Sequence, residues 1–291
     1  RGETALALAA YRGALEAQPN DLESARACVA LLETGDRALE RCAALRRLAE
    51  LESGSERIAV LHTLGLLLSE GRRDLPGALA CFEAIVDEPG APGDSEDLLL
   101  TGLEALGRFE ALCARLEQRR NRLDPLAPEA FALDLRRGEL LLDRLGQPNA
   151  AIPLFDLVCE ARPDDELARA ALERALRRTE NAARLSQLLG ENAERERDPE
   201  RRAQLLLERA ALLSGPLRAP RQARALLAEI AEGASGVAPD AESRLLALLE
   251  QERDWPAFAA ALELRLERGD KSQRAELRRR LAFVCRDRLS D

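Results

Sequence analysis

Four helical stripes of small and bulky apolar residues, recurring about every 72 positions, constrain this 291-residue chain more than any other feature. The most regular copy runs Ala151, Phe155, Val158, Pro163. Steps of four and three place the first three on one helical face. Alanine lets a neighbouring helix come close and phenylalanine fills the space beside it. Pro163 stops the segment, because it lacks a backbone N–H and clashes with the preceding turn. The stripe returns as Ala7, Tyr11, Ala14, Pro19, then as Ala78, Phe82, Ile85 with Pro89 one place early, and as Ala223, Leu227, Ile230 without a proline. The alanines lie 71, 73 and 72 positions apart. Self-similarity at a fixed period marks stacked repeats, in which each unit buries its apolar face only on its neighbours. The length alone would suggest about two globular domains; the period makes a single array over residues 1–291 the expectation.

The array must be helical. Aromatic residues make up only 3% of the chain, so its apolar 46% is mostly leucine and alanine, both strong helix formers. No period-two run of Val, Ile and Thr reads as a strand. The longest nearly apolar run, Ile58 to Leu68, is interrupted by His62 and Thr63 and is too short to span a bilayer. Net charge is −9, and basic residues with interleaved aromatics do not cluster as nucleic-acid binding requires. Lys271 is the only lysine, which reads as the composition of a GC-rich bacterial genome. The six cysteines form no Cys-x2-Cys pair and sit among apolar residues, as buried thiols do. A Cys28–Cys42 disulfide across one hairpin is the alternative. Unpaired thiols favour a reducing compartment, here the cytoplasm.

Capping residues and breakers predict helices at about 3–17, 21–34, 36–51, 55–70, 75–87, 94–106, 108–121, 128–145, 148–161, 164–178, 180–196, 199–213, 218–232, 238–252, 255–268 and 271–289. Asp21 and Asp198, the latter followed by Pro199, read as N-caps, and so does Ser55. Gly35 and Gly107, 72 residues apart, suit helix ends that need positive φ. Gly71 closes the helix at 55–70, while the turn near residue 180 lacks a glycine. Arg274-Ala-Glu-Leu277 aligns with Arg202-Ala-Gln-Leu205, so the chain closes on an unpaired first helix, as it opens on an unpaired second one. An array cut at both ends, part of a longer one, is the expectation.

Leu61-x2-Leu64-Gly65-x2-Leu68 followed by Ala78-x3-Phe82 resembles the tetratricopeptide pattern Trp-x2-Leu-Gly-x2-Tyr then Ala-x3-Phe. This copy has leucine for the Trp and Tyr and one extra turn residue. Gly138 with Leu141 precedes Ala151, and Ala210 with Leu213 precedes Ala223, keeping a small residue at the close-approach point. The resemblance implies an all-α, right-handed superhelical solenoid of antiparallel helix hairpins. It would hold about 16 helices, in four-helix super-repeats of about 72 residues.

No residues are assigned to catalysis, metal or cofactor. His62, the single histidine, has no cysteines at zinc-ligand spacing. Asp164, Asp165 and Glu166 open a helix, where negative charge suits the dipole. Arg115, Arg119, Arg120 and Arg122, and separately Arg278, Arg279 and Arg280, read as solvated helix faces, with acidic-peptide or phosphate contact as the alternative. Tyr11, Phe82 and Phe155 read as core, and Trp255 as packing.

The resemblance implies a protein–protein interaction scaffold whose concave surface takes a peptide or protein segment. First-helix residues would line it: Ala59, His62, Leu66 and Ser69; Leu135 and Glu139; Gln204, Leu207 and Ala211. They lack the basic pair of the family's carboxylate clamps, which favours apolar contact with an extended or helical segment. The alternative is a regulatory or sensor solenoid attached to a catalytic or signalling domain outside this sequence. Partners are expected to be protein, without nucleic acid or membrane insertion. The two unpaired terminal helices leave self-association open.

Overall fold

The computed structural model describes residues 2–33, 37–70, 74–233, 236–268 and 274–289, and among them there is no strand. Sixteen α-helices follow one another among these residues. The first eight are α1 (Gly2–Ala17), α2 (Leu22–Leu32), α3 (Ala38–Leu51), α4 (Gly54–Glu70), α5 (Leu75–Glu83), α6 (Ser95–Ala105), α7 (Phe109–Asn121) and α8 (Pro128–Asp143). The rest are α9 (Pro148–Ala161), α10 (Glu166–Arg178), α11 (Ala182–Arg195), α12 (Pro199–Ser214), α13 (Pro220–Glu232), α14 (Ala238–Glu252), α15 (Trp255–Arg268) and α16 (Arg274–Val284). A π-helical turn, Cys285–Leu289, continues α16. The chain divides into two compact units, Arg1–Gly146 and Gln147–Asp291, each holding eight helices and so two of the four-helix repeats. No helix of the described residues is long and apolar enough to cross a membrane.

Most helix ends fall where the capping residues put them. Asp21, Asp74, Asp165 and Asn181 each accept a hydrogen bond from the N–H three residues on, and Asp198 accepts one from Glu200. Asp165 thereby fills the capping role expected of the acidic run at 164–166. Ser55 does not cap α4, because the helix already begins at Gly54, which takes φ +56°. The helix predicted at 75–87 stops at Glu83, and residues 84–87 form turns in which Ile85 and Val86 both donate to the Phe82 carbonyl. Gly107 has the expected positive φ, +67°. Gly35, Gly71 and Lys271 lie outside the described residues. Where the turn near 180 lacks glycine, Glu180 itself occupies the left-handed region at φ +53°, and Arg253, 73 positions later, does so at +60°. The backbone turn is retained although the residue that suits it is not.

In the first unit, each helix packs on the next, with short loops making neighbours antiparallel. Cys42, Leu45, Ile58, Leu64, Leu68, Ala78, Leu79, Phe82, Ile85, Leu99, Leu103, Leu112 and Leu116 form one continuous apolar core, while Leu8, Cys28 and Leu32 form a smaller one under α1 and α2. The second unit repeats the plan. Leu206, Leu207, Ala210, Leu213, Ala223, Leu227 and Ile230 pack together, and Leu246, Phe258, Leu262, Leu277 and Val284 follow. The stripe residues Ala78, Phe82, Ile85, Ala151, Phe155, Val158, Ala223, Leu227 and Ile230 are all buried. The first copy is the exception: Ala7 and Ala14 are only half-buried and Tyr11, at 40% exposed, is not core, because among the described residues no helix lies against that side of α1. All six cysteines are free thiols, so Cys28 and Cys42 are not bridged.

Candidate functional site

The close approach inferred from Gly65 is visible atom by atom. A methyl group placed on its Cα would stand 2.7 Å from Phe82 Cε1 and 2.8 Å from Cζ, inside any real contact distance. The glycine of the first helix therefore seats the phenylalanine of the second. The helix pairs pack as tetratricopeptide-like hairpins.

The opposite side of the first helices is where a ligand was expected. In the first unit, Ala59 and Glu139 are exposed, and Leu66 and Leu135 are half-buried. The Ser69 hydroxyl donates to the Leu66 carbonyl at 2.9 Å. His62 is held more firmly. Its Nε2 lies 3.0 Å from Asp94 Oδ1, its ring meets Phe82 edge-on at 6.1 Å, and only 16% of the side chain is exposed. In the second unit, Gln204 and Ala211 are exposed, whereas Leu207 is only 7% exposed and belongs to the core. Leu207 is thus not available to a ligand, because it packs with Leu206 and Ala210. Each unit keeps its own set: α4 and α8 carry one, and α12 the other.

The arginine cluster of α7 is occupied from within. Arg115 donates twice to Asp87 at 2.9 Å and also to Gln118. Arg122 reaches Asp87 at 2.9 Å and Glu96 at 3.3 Å, and Arg119 reaches Asp97 at 2.5 Å. Arg120 donates to the almost fully buried Asp134 at 3.1 Å. Hydrogen bonds from Arg115, strengthened by its charge and that of Arg122, hold the Asp87 carboxyl below its ordinary range. These four side chains tie α7 to its neighbours and are not a free anion site. Of the second cluster, Arg279 pairs with Glu276 at 3.0 Å, and Arg280 pairs with Glu250 at 3.4 Å and lies over the Phe258 ring. Arg278 is exposed. Trp255 packs edge-on against Phe258 and carries Arg288 over its face at 5.0 Å, a packing role as expected.

Two features were missed by the sequence reading. An apolar cleft of about 420 Å³ opens between α1, α2 and α3, lined by Leu15, Cys28, Leu39 and Ala44 and bordered by the Arg12–Glu40 pair. Ion pairs also join helices two apart, and the recurring separation of 28 residues in Arg12–Glu40, Arg46–Asp74, Arg115–Asp87 and Arg184–Asp156 was the available signal. Among the described residues, no three His, Cys, Asp or Glu side chains are grouped to hold a metal ion.

No family model matches this chain, and no curated protein does. Solved structures resemble it distantly. One titled as Naa15/Naa10 bound to HypK-THB is 17% identical over 100% of this chain, with a TM-score of 0.47, and the chain spans 44% of its length. A tetratricopeptide repeat protein from Parabacteroides merdae is 15% identical, covering 94% of this chain and 98% of its own, with a TM-score of 0.36. The C-terminal part of a TPR repeat-containing protein from Cytophaga hutchinsonii is 14% identical, covers 93% of each chain and has a TM-score of 0.36. The hairpin assignment stands on the chain's own Gly65–Phe82 packing rather than on these likenesses.

Proposed function

We propose that this chain is a non-catalytic protein-interaction scaffold, and that it binds a peptide or protein segment along the outward faces of its first helices. The observation that carries this reading is the two-sidedness of those helices. Gly65, Gly138 and Ala210 are buried, while Ala59, Glu139, Gln204 and Ala211, on the other side, are exposed and small or polar. A helix that uses one stripe for its own fold and leaves the other open offers a repeated surface for recognition. In the first unit the surface comprises Leu66, Ser69, Leu135 and Glu139, with His62 fixed at its edge; in the second it comprises Gln204 and Ala211. The mixture favours apolar contacts with a few polar ones, and the arginines that could clamp a carboxylate are engaged with Asp87, Glu96, Asp97 and Asp134.

The test is site-specific photo-crosslinking. A photoreactive residue is placed at Glu139, Gln204 or Ala211, and as controls at the exposed second-helix positions Glu83 and Leu157. Adducts to a defined protein from the first three sites are expected, those from Glu139 and Gln204 being lost in the Leu135→Glu and Ala211→Glu double variant. Equal adducts from Glu83 and Leu157 would remove the first-helix faces as the binding surface. A melting curve of the double variant separates lost binding from lost folding.

A further inference from the structure

We propose that the cleft between α11, α12 and α13 is a binding site for an organic carboxylate, which pairs there with Arg209. The proposal goes beyond the first-helix reading and uses none of its residues. Its basis is a pair that the first unit completes and the second leaves half made. In the first unit, Arg137 of α8 reaches back to Glu117 of α7, with Nη2 2.8 Å from Oε1. The repeat carries these positions to Arg209 of α12, 72 residues on, and to Gly190 of α11, 73 residues on. Buried residues fix that register: Leu112 and Leu116 fall on Leu185 and Leu189, and Gly138 falls on Ala210. The contact itself agrees, since a methyl group on Gly190 would stand 2.5 Å from Arg209 Nη1 and 2.9 Å from Cζ. The guanidinium thus lies on bare backbone where its counterpart meets a carboxylate. In the other two copies the arginine itself is replaced, by Leu64 and Leu281.

Unlike the arginines of α7, Arg209 is not engaged from within. It is half-buried and forms no hydrogen bond or ion pair among the described residues, and its buried Nε has no acceptor. A partly buried cation gives up hydration that only an acceptor can return. The nearest carboxylate in sequence is taken: Glu191 accepts from Gln187 at 2.8 Å and from Arg184 at 3.4 Å. Glu194 lines the same space but is exposed and makes no ion pair with Arg209. With no side chain at Gly190, a cavity of about 370 Å³ opens there, walled by Leu213, Leu217 and Gln222 as well as by Arg209. Room, an apolar wall and one unpaired positive charge together suit a carboxylate on a short apolar stem. Glu191 and Glu194 at its rim repel a dianion such as phosphate. The cavity lies inside the array, with α10 packed on α11 and α14 on α13.

Two probes test this: sodium butyrate, a free acid, and acetyl-Leu-Glu-Leu-amide, which presents the glutamate of a polypeptide. The readout is the Nε–H signal of Arg209 in heteronuclear NMR spectra, assigned by its loss in Arg209→Lys. Saturable movement of that signal by either carboxylate is expected, and the tighter of the two names the source. Butanol and acetyl-Leu-Gln-Leu-amide, which lack the charge, are expected to leave it in place. Phosphate is expected to bind more weakly than butyrate. Gly190→Glu recreates the Arg137–Glu117 pair and is expected to abolish the response, whereas Glu194→Gln is expected to strengthen it. Circular dichroism confirms that each variant folds. Calorimetry with Arg209→Gln, expected to show no butyrate binding, covers the case in which Gly190→Glu does not fold. A signal that neither carboxylate moves overturns the proposal. So does an equal response to the uncharged analogues, or butyrate binding that survives Arg209→Gln.

Discussion

Gly65→Ala isolates the packing on which the fold depends. The added methyl would stand 2.7 and 2.8 Å from two ring atoms of Phe82, against an ordinary contact of 3.4–4 Å. The ring must retreat by several tenths of an ångström, yet it is 2% exposed and enclosed by Leu64, Leu68 and Leu79. Overpacking of that kind costs about 1–3 kcal/mol. Replacing glycine by alanine within a helix returns about 1 kcal/mol, so the net effect is a loss of up to about 2 kcal/mol. Gly13→Ala is the matched control: it too lies within a helix, and nothing stands within 4 Å of the added methyl. It should stabilise by about 1 kcal/mol. Urea unfolding followed by circular dichroism compares the two. The chain also supplies its own rescue, because the next complete hairpin of this kind in the second unit pairs Ala210 with Leu227, both buried. Gly65→Ala with Phe82→Leu recreates that pair, and the double variant should be about 1–2 kcal/mol better than the sum of the singles. If Gly65→Ala stabilises as much as Gly13→Ala, the close-approach argument is wrong.

Glu180→Gly and Arg253→Gly should each stabilise by about 1 kcal/mol in the same assay, since each removes a side chain from a left-handed backbone. Phe155→Ala, at a fully buried site, should cost about 3–5 kcal/mol and lower the melting temperature. Thiol labelling at pH 8 followed by intact mass should modify mainly Cys285 in the native chain and all six cysteines in denaturant. Cys28, Cys42, Cys81 and Cys113 are buried, and burial pushes the Cys159 thiol up to about 11. Asp87, held below its ordinary value of 3.8 chiefly by the hydrogen bonds of Arg115, contributes stability that is complete above that value and is lost as pH falls through the depressed one. Melting temperatures measured between pH 5 and pH 2 should therefore fall, and Asp87→Asn should flatten that fall. An unchanged slope would show that the pair contributes nothing.

The fold was legible because its determinants are local and repeated. The spacing of Ala78, Phe82 and Ile85 names a helical face, Gly65 names the point of closest approach, and Asp21, Asp165 and Asp198 name helix starts. Each carries its meaning within about one turn of helix. The errors lie where local rules are overridden. Ser55 looks like a cap, yet Gly54 starts the helix one residue earlier. Tyr11 follows the core stripe, but burial needs a second surface that α1 does not have in this structure. Leu207 fits a groove position by register and is nonetheless core, because it belongs to the apolar cluster that α12 shares with α13 and α14.

The arginines show where reading in sequence order stops. Arg115, Arg119, Arg120 and Arg122 look like a basic face when only their own helix is considered. Their partners lie 14 to 35 residues away, on α8 and around α5 and α6. Once the array is known, the pairing has a rule. Side chains of a helix and of the next but one reach each other, and four of the pairs fall at a 28-residue separation. Most of these pairs are exposed and each is worth about 0–1 kcal/mol, so they add little stability singly. Their consequence is for recognition. An arginine already bonded to two carboxylates, as Arg122 is to Asp87 and Glu96, must give up those bonds to take an acidic ligand. That cost weighs against an acidic ligand on α7 and accords with the proposal that recognition uses the open faces of α4, α8 and α12.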